Sequence, residues 1–242
     1  MNPNRRKTSP RHRSTYLVAF LAILALLTVI AIPATVAAYQ SCGGGGNCDP
    51  NGTMPCLGSP IIIDTLGQGF HLTSSETGVR FDITGAGHPI QIAWTDQHFR
   101  NAFLALPGPD GVVHSGRELF GNFTPQPPSS QRNGFLALAQ FDRPENGGNG
   151  DGVIDAKDSV FSKLRLWIDE NHDGICQLNE LHTLPELGVF SVELTYRESR
   201  RVDRYGNEFR YRGRINATDP QEDSSKADPI AYDVFLVEAG QR

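Results

Sequence analysis

The sequence predicts an α+β fold, rich in strands and served by short helices. Three observations carry that prediction. From Pro60 onward, apolar or alternating runs of four to six residues recur, each broken by Gly, Pro or Asp. Near the C-terminus two longer alternating segments flank the turn "RYGNE", as a hairpin requires. Helical spacing of apolar residues is confined to a few short stretches, so strands dominate.

The chain opens with "MNPNRRKTSPRHRST", which carries Arg5, Arg6, Lys7, Arg11 and Arg13 and no acid. The apolar run "YLVAFLAILALLTVIAI" follows, then Pro33 and the small residues of "ATVAA". A basic flank, an apolar run and a small-residue exit describe a secretory signal over residues 1–38, cleaved or kept as an N-terminal membrane anchor. Either way the basic flank stays inside, and the remainder is expected outside the cytoplasm. That remainder holds 17 Lys and Arg against 27 Asp and Glu, a formal charge of −10. Such a chain suits cations and makes a poor partner for nucleic acid or anionic lipid, leaving the N-terminal segment as its one expected membrane contact.

Residues 39–58 read as a Cys/Gly-rich linker. Cys42, Cys48 and Cys56 lie within fifteen residues, a candidate disulfide-tied loop in an oxidising compartment; the fourth cysteine is Cys176. Residues 59–242 form the predicted domain. "PIIID", "VRFDI", "PIQIAW" and "AFLAL" are its first strands, and "TPQPPSSQRN" is a loop. "GFLALAQF" sets Phe135, Leu138 and Phe141 on one helical face. "SVFSKL" makes one helical turn, "LRLWID" is extended, and "LNELHTLPEL" is a helix ended by Gly188. A hairpin over 189–215 and a strand in "AYDVFLVEA" complete the series. The stretch from Asn216 to Pro229 is polar and carries no element.

One stretch needs a chemical explanation: "DENHDGICQLNE", Asp169 to Glu180, gathers like charges that repel. Counted from Asp169, oxygen-bearing groups fall at Asn171 (position 3), Asp173 (5), Gln177 (9) and Glu180 (12), with Gly174 at 6 and Ile175 at 7. This is the calcium-loop pattern of an EF-hand. Calcium takes six to eight oxygens; the first three side chains converge on it, glycine permits the bend, position 7 offers a carbonyl, position 9 works through water and the glutamate closes the shell. Cys176 stands at position 8, where a branched aliphatic normally pairs with a neighbouring loop.

The upstream stretch "NGGNGDGVIDAKD" supplies that neighbour. Asn149, Asp151, Val153, Asp155 and Asp158 fall at positions 3, 5, 7, 9 and 12, with Ile154 at 8. Gly147 at position 1 has no side chain, so Asp142 is expected to fold back over "RPENGG" and take its place. The sequence thus predicts short helices flanking paired EF-hand-like calcium loops over 142–180, with a Ca2+ site in the loop from Asp169 and a weaker second site in the upstream loop. "DTLGQG" from Asp64, "DITGAG" from Asp82 and "PGPDGVVHSGRE" to Glu118 look like worn copies, with Leu66, Ala86 and Pro109 where ligands would be wanted. They read as tight turns.

With those loops in view, the chain resembles a group of exported bacterial proteins with EF-hand-like or haemolysin-type calcium repeats. "PIIID", "GVRFDI", "ELFGNFTPQ", "NGFLALAQFD", "GDGVIDAKD", "LRLWIDENHDG" and "NELHTLPELGV" match in order over about residues 59–215. The resemblance implies calcium-stabilised folding outside the cell and brings no catalytic residue.

The function expected is that of an exported calcium-binding module, structural or interacting, with calcium and an extracellular or cell-surface protein as partners. The alternative is a secreted hydrolase braced by calcium. No HExxH, GxSxG, P-loop or GxGxxG motif supports it. A third reading, a sensor or docking module, would need "LNELHTLPEL" to expose an apolar face when metal binds.

Overall fold

The structure, a computed structural model, describes residues 57–216 and 230–240. The predicted signal or anchor, the cysteines of the linker and the polar 217–229 stretch lie outside the described residues. The chain divides into two units, 1–40 and 41–242, and the second contains everything that follows. Among the described residues no helix is long and apolar enough to cross a membrane.

Among the described residues ten strands run in chain order: β1 Ile61–Asp64, β2 Val79–Phe81, β3 Ile90–Ile92, β4 Asn101–Ala105, β5 Val153–Ile154, β6 Arg165–Trp167, β7 Leu181–His182, β8 Val192–Val202, β9 Glu208–Ile215 and β10 Ile230–Phe235. Eight form one curled antiparallel sheet in the order β5-β8-β9-β10-β1-β4-β6-β7, and β2 pairs with β3 apart from it. β1 lies at the centre because its three isoleucines bury both faces of a strand. Ile61 and Ile63 enter one core with Leu104, Leu166 and Phe135; Ile62 enters the other with Phe103, Trp167 and Trp94. The hairpin β2–β3 covers the second core through Val79, Phe81 and Ile92.

The expectation of helices flanking paired loops is overturned. Among the described residues the one α-helix, α1 Gly134–Leu138, is five residues long and runs on into a 3₁₀ turn over Ala139–Phe141. Asn133 caps it, accepting the Leu136 N–H at 3.0 Å. "LNELHTLPEL" is not a helix. It breaks into a 3₁₀ turn at Leu178–Glu180, strand β7 and a 3₁₀ turn at Pro185–Leu187, which Gly188 ends in the left-handed conformation. Two forces outweigh its helical spacing. Pro185 lacks the N–H an interior helical turn needs, and Leu181 and His182 complete the sheet edge opposite Trp167 and Leu166.

The loops do not pair with each other either. Ile154 pairs with Val192 of β8, whereas Cys176 packs in the second core. β5 and β7 are the two edges of the sheet, so the loops they adjoin serve opposite ends of it. The hairpin β8–β9 and strand β10 stand where the alternation places them.

Candidate metal centre

The second loop, 169–180, is built against the aromatic centre of the second core. Trp94, Trp167, Phe81 and Phe103 pack with ring centroids 4.4–5.8 Å apart. Both indole N–H groups point at the loop: Trp94 Nε1 donates to Asp169 Oδ2 at 2.8 Å, and Trp167 Nε1 donates to Glu180 Oε2 at 3.1 Å. Asp169 is 1% exposed and Glu180 2%, so both loop ends are buried.

Backbone amides complete their surroundings. Gly174 N donates to Asp169 Oδ2 (2.9 Å) and Asp173 N to Oδ1 (3.2 Å). Gln177 N donates to Glu180 Oε2 (3.2 Å) and Glu170 N to Oε1 (3.1 Å). A carboxylate oxygen offers two lone pairs. Asp169 Oδ2 and Glu180 Oε2 are therefore saturated, while Asp169 Oδ1 and Glu180 Oε1 each keep one acceptor position. Gly174 takes φ +71° and lies against β2; a Cβ there would come within 2.9 Å of Val79, so this place admits only glycine.

The exposed positions bind each other. Asn171 Nδ2 and Gln177 Nε2 donate to Asp173 Oδ2 at 2.9 and 3.0 Å, and Ile175 N donates to Asp173 Oδ1. Gln177 Oε1 is buried with no hydrogen-bond partner. Ile175 is exposed, its side chain outward. Among the described residues, no Lys, Arg or His forms an ion pair with Asp169, Asp173 or Glu180. Cys176 is a free, buried thiol; burial, ahead of the neighbouring Glu180 and Asp169 charges, pushes it up to about 11. It packs as an apolar group.

In the first loop, 142–158, Asp142 stands where Asp169 stands in the second. Its Oδ2 accepts the Gly152 N–H at 3.0 Å, as Asp169 Oδ2 accepts that of Gly174, and its Oδ1 accepts Gly150 N at 3.0 Å. The inserted residues double back through a 3₁₀ turn over Pro144–Asn146. Gly148 then passes so close to Asp142 that a Cβ would lie 2.2 Å from its carbonyl. Asp158 mirrors Glu180, accepting Asn149 N (3.2 Å) and Asp155 N (2.8 Å). Asn149 Nδ2 donates to Asp151 Oδ2 at 2.8 Å, and Val153 N donates to Asp151 Oδ1. A group absent from the second loop completes this one: the Lys157 ammonium lies 3.2 Å from Asp151 Oδ2 and 3.1 Å from Asp155 Oδ2. The Asn149 amide, with Lys157 after it, holds Asp151 below the usual carboxylate range, and Asp155 with Asp151 raises Lys157.

Two of the three degenerate stretches share the hinge of the second loop. Gly69 N donates to Asp64 Oδ2 at 2.5 Å and Gly87 N to Asp82 Oδ2 at 2.6 Å, each five residues on, as in Asp169–Gly174. Glu118 Oε2 accepts the N–H groups of His114 and Ser115. These are turns closed by a carboxylate, without the further oxygens of the two fuller loops.

Among the described residues, no three His, Cys, Asp or Glu side chains are gathered about one point as metal ligands would be. The carboxylates instead receive amide and indole hydrogens. The donor set of the second loop still fits a hard divalent cation. It is all oxygen, its two buried anions each keep an open acceptor position, and the Gln177 amide oxygen is buried without a partner. Sequence reasoning missed the two tryptophans. Trp167 is two residues from Asp169 and was open to notice; Trp94 is 75 residues away and no spacing rule reaches it.

The iron-regulated protein FrpA of Neisseria meningitidis serogroup C is 34% identical over 163 residues, 66% of this chain. The match spans only 14% of that relative's length. The SPM domain matches residues 61–228, more than half of the 242 residues and all of both loops, and on that ground the chain belongs to the SPM domain family.

Proposed function

We propose that the described domain is a calcium-binding module that works outside the cytoplasm, with Ca2+ taken by the second loop and, more weakly, by the first. One observation carries the reading. Asp169 and Glu180 are buried carboxylates whose hydrogen-bond donors are all neutral. Burying a charge is costly unless an opposite charge compensates it, and indole and amide dipoles do so only in part. A divalent cation supplies what the chain does not. Asp169, Asn171, Asp173, the Ile175 carbonyl, Gln177 and Glu180 would hold it. Asp142, Asn149, Asp151, the Val153 carbonyl, Asp155 and Asp158 would hold the second ion, after Lys157 gives way. Bound calcium would supply positive charge alone, joining residues 169–180 to the core through Trp94 and Trp167. The resemblance to calcium-repeat proteins and the export-type N-terminus support the same reading. Extracellular calcium is near millimolar, so dissociation constants of about 10⁻⁴–10⁻³ M suffice.

Calorimetric titration of the full chain with calcium, and thermal unfolding with and without chelator, test this. Two binding events and a raised melting temperature are expected, with the tighter event lost in the double variant Asp169→Ala, Glu180→Ala. Absence of both heat and shift would leave 169–180 an acidic turn.

A further inference from the structure

The wide end of the sheet carries a feature that calcium does not explain. A groove of about 730 Å3 runs over β8, β9 and β10 and reaches the first loop, with Asp151, Thr195, Arg197, Arg212 and Ile230 on its walls. Arg197 of β8 and Arg212 of β9 are directly opposite each other in the register, and both are exposed. Residues so paired project from the same face with Cβ atoms about 5 Å apart, and like charges there destabilise a sheet. Neither guanidinium has a carboxylate partner among the described residues. Their neighbour Arg214, by contrast, is held by Glu193 through two bonds of 2.7 and 3.0 Å. In a chain of net charge −5, residues 193–214 hold seven arginines against four acids.

We propose that this groove is an anion site, and that Arg197 and Arg212 together grip the phosphate group of a soluble phosphorylated ligand. Two facing guanidinium forks present two positive charges and several parallel donors, which match a dianionic tetrahedral group; a single carboxylate would leave one arginine uncompensated. The Thr195 hydroxyl on the same wall offers a further donor. A flat anionic bilayer fits less well, because the two arginines line a groove and not a flat face. The pair destabilises the free protein and is relieved by its ligand, so its cost and its use have one origin.

The test uses the full chain in chelator, which separates it from the calcium reading, with inorganic phosphate as the probe and acetate and chloride as controls. Saturable phosphate binding and a raised melting temperature are expected. Arg197→Gln and Arg212→Gln should each weaken binding about tenfold, while Arg200→Gln leaves it unchanged. Without phosphate and at low salt, either groove variant should melt at the same temperature as the parent or higher. A residue with a merely structural role would lower it. Equal shifts from acetate and chloride, or retention of binding in the double variant, would overturn the proposal. So would phosphate binding that appears only when Asp219, Glu222, Asp223 and Asp228 are neutralised, since the chain's own carboxylates would then be the occupant.

Discussion

The two loops share a backbone plan and differ in how their charge is held. Each begins with a buried aspartate that accepts the N–H of a left-handed glycine, Gly152 or Gly174, and each ends on a buried carboxylate that accepts two amides. The second loop rests its end carboxylates on two indoles of a dense aromatic core and contains no cation. The first has no indole partner for Asp142 or Asp158 and carries an ammonium of its own between Asp151 and Asp155. The same pattern of acids can thus carry a cation of its own, as Lys157 does in the first loop, or rest on neutral donors alone, as in the second. A motif match by itself does not separate the two cases.

The largest effect that sharpens this contrast lies in the core. Trp167→Phe removes the donor to Glu180 and opens space beside Trp94 and Phe103, and should lower unfolding free energy by about 3 kcal/mol in chemical denaturation. No single change in the first loop has an equivalent.

Calcium linkage comes next. At a hundred times the dissociation constant, one site stabilises by about 2.7 kcal/mol. Asp169→Asn should abolish most of that gain while leaving the metal-free protein as stable or more so, because a buried charge is removed. Asp142→Asn should abolish the smaller share. Equal losses at both positions, read as melting temperature against calcium, would erase the distinction drawn between the loops.

Acid separates them from the rest of the fold. Asp233 in β10 is fully buried, and burial pushes its carboxyl up to about 6 against the Ser59 and Gly134 hydrogen bonds and the Arg210 charge, which pull it down. The folded state therefore holds that proton more tightly than the unfolded chain does. Its contribution is fully present below about pH 4 and lost as pH rises through about 6, an amount of about 2–3 kcal/mol. Asp151 has the opposite sign: its carboxyl is held low, so the first loop loses support as pH falls below the ordinary carboxylate range. Melting curves in chelator should show Asp233→Asn flattening the rise in stability between pH 6 and 4, and Asp151→Asn removing part of the loss below it.

The smallest effect is Lys157→Gln. It should slightly lower the metal-free melting temperature and tighten calcium binding at the first loop a fewfold, with no change at the second. Weaker binding there would mean that Lys157 does not compete with the ion.

The chain's local features were open to reading. Ile61–Ile63 declare a strand, the alternation of 192–202 and 208–215 declares a hairpin, and Asp169 to Glu180 declares a tight turn rich in acidic and amide side chains about Gly174. The missing side chain at Gly147 pointed to Asp142, whose carboxylate accepts the Gly152 N–H as that of Asp169 accepts the Gly174 N–H. Local spacing misled at "LNELHTLPEL", where leucines at helical intervals serve a sheet edge and two 3₁₀ turns, because pairing with Trp167 and Leu166 is a long-range contact.

What sequence alone determined is therefore the set of turns, strands and acidic oxygens, all properties of residues within about a dozen positions of one another. Tertiary structure decided the rest: that the loops belong to opposite sheet edges, that Trp94 reaches Asp169 across 75 residues, and that Arg197 faces Arg212. Each is a consequence of strand order and register. These are set by how two cores fill on both faces of one sheet, and no local pattern encodes them.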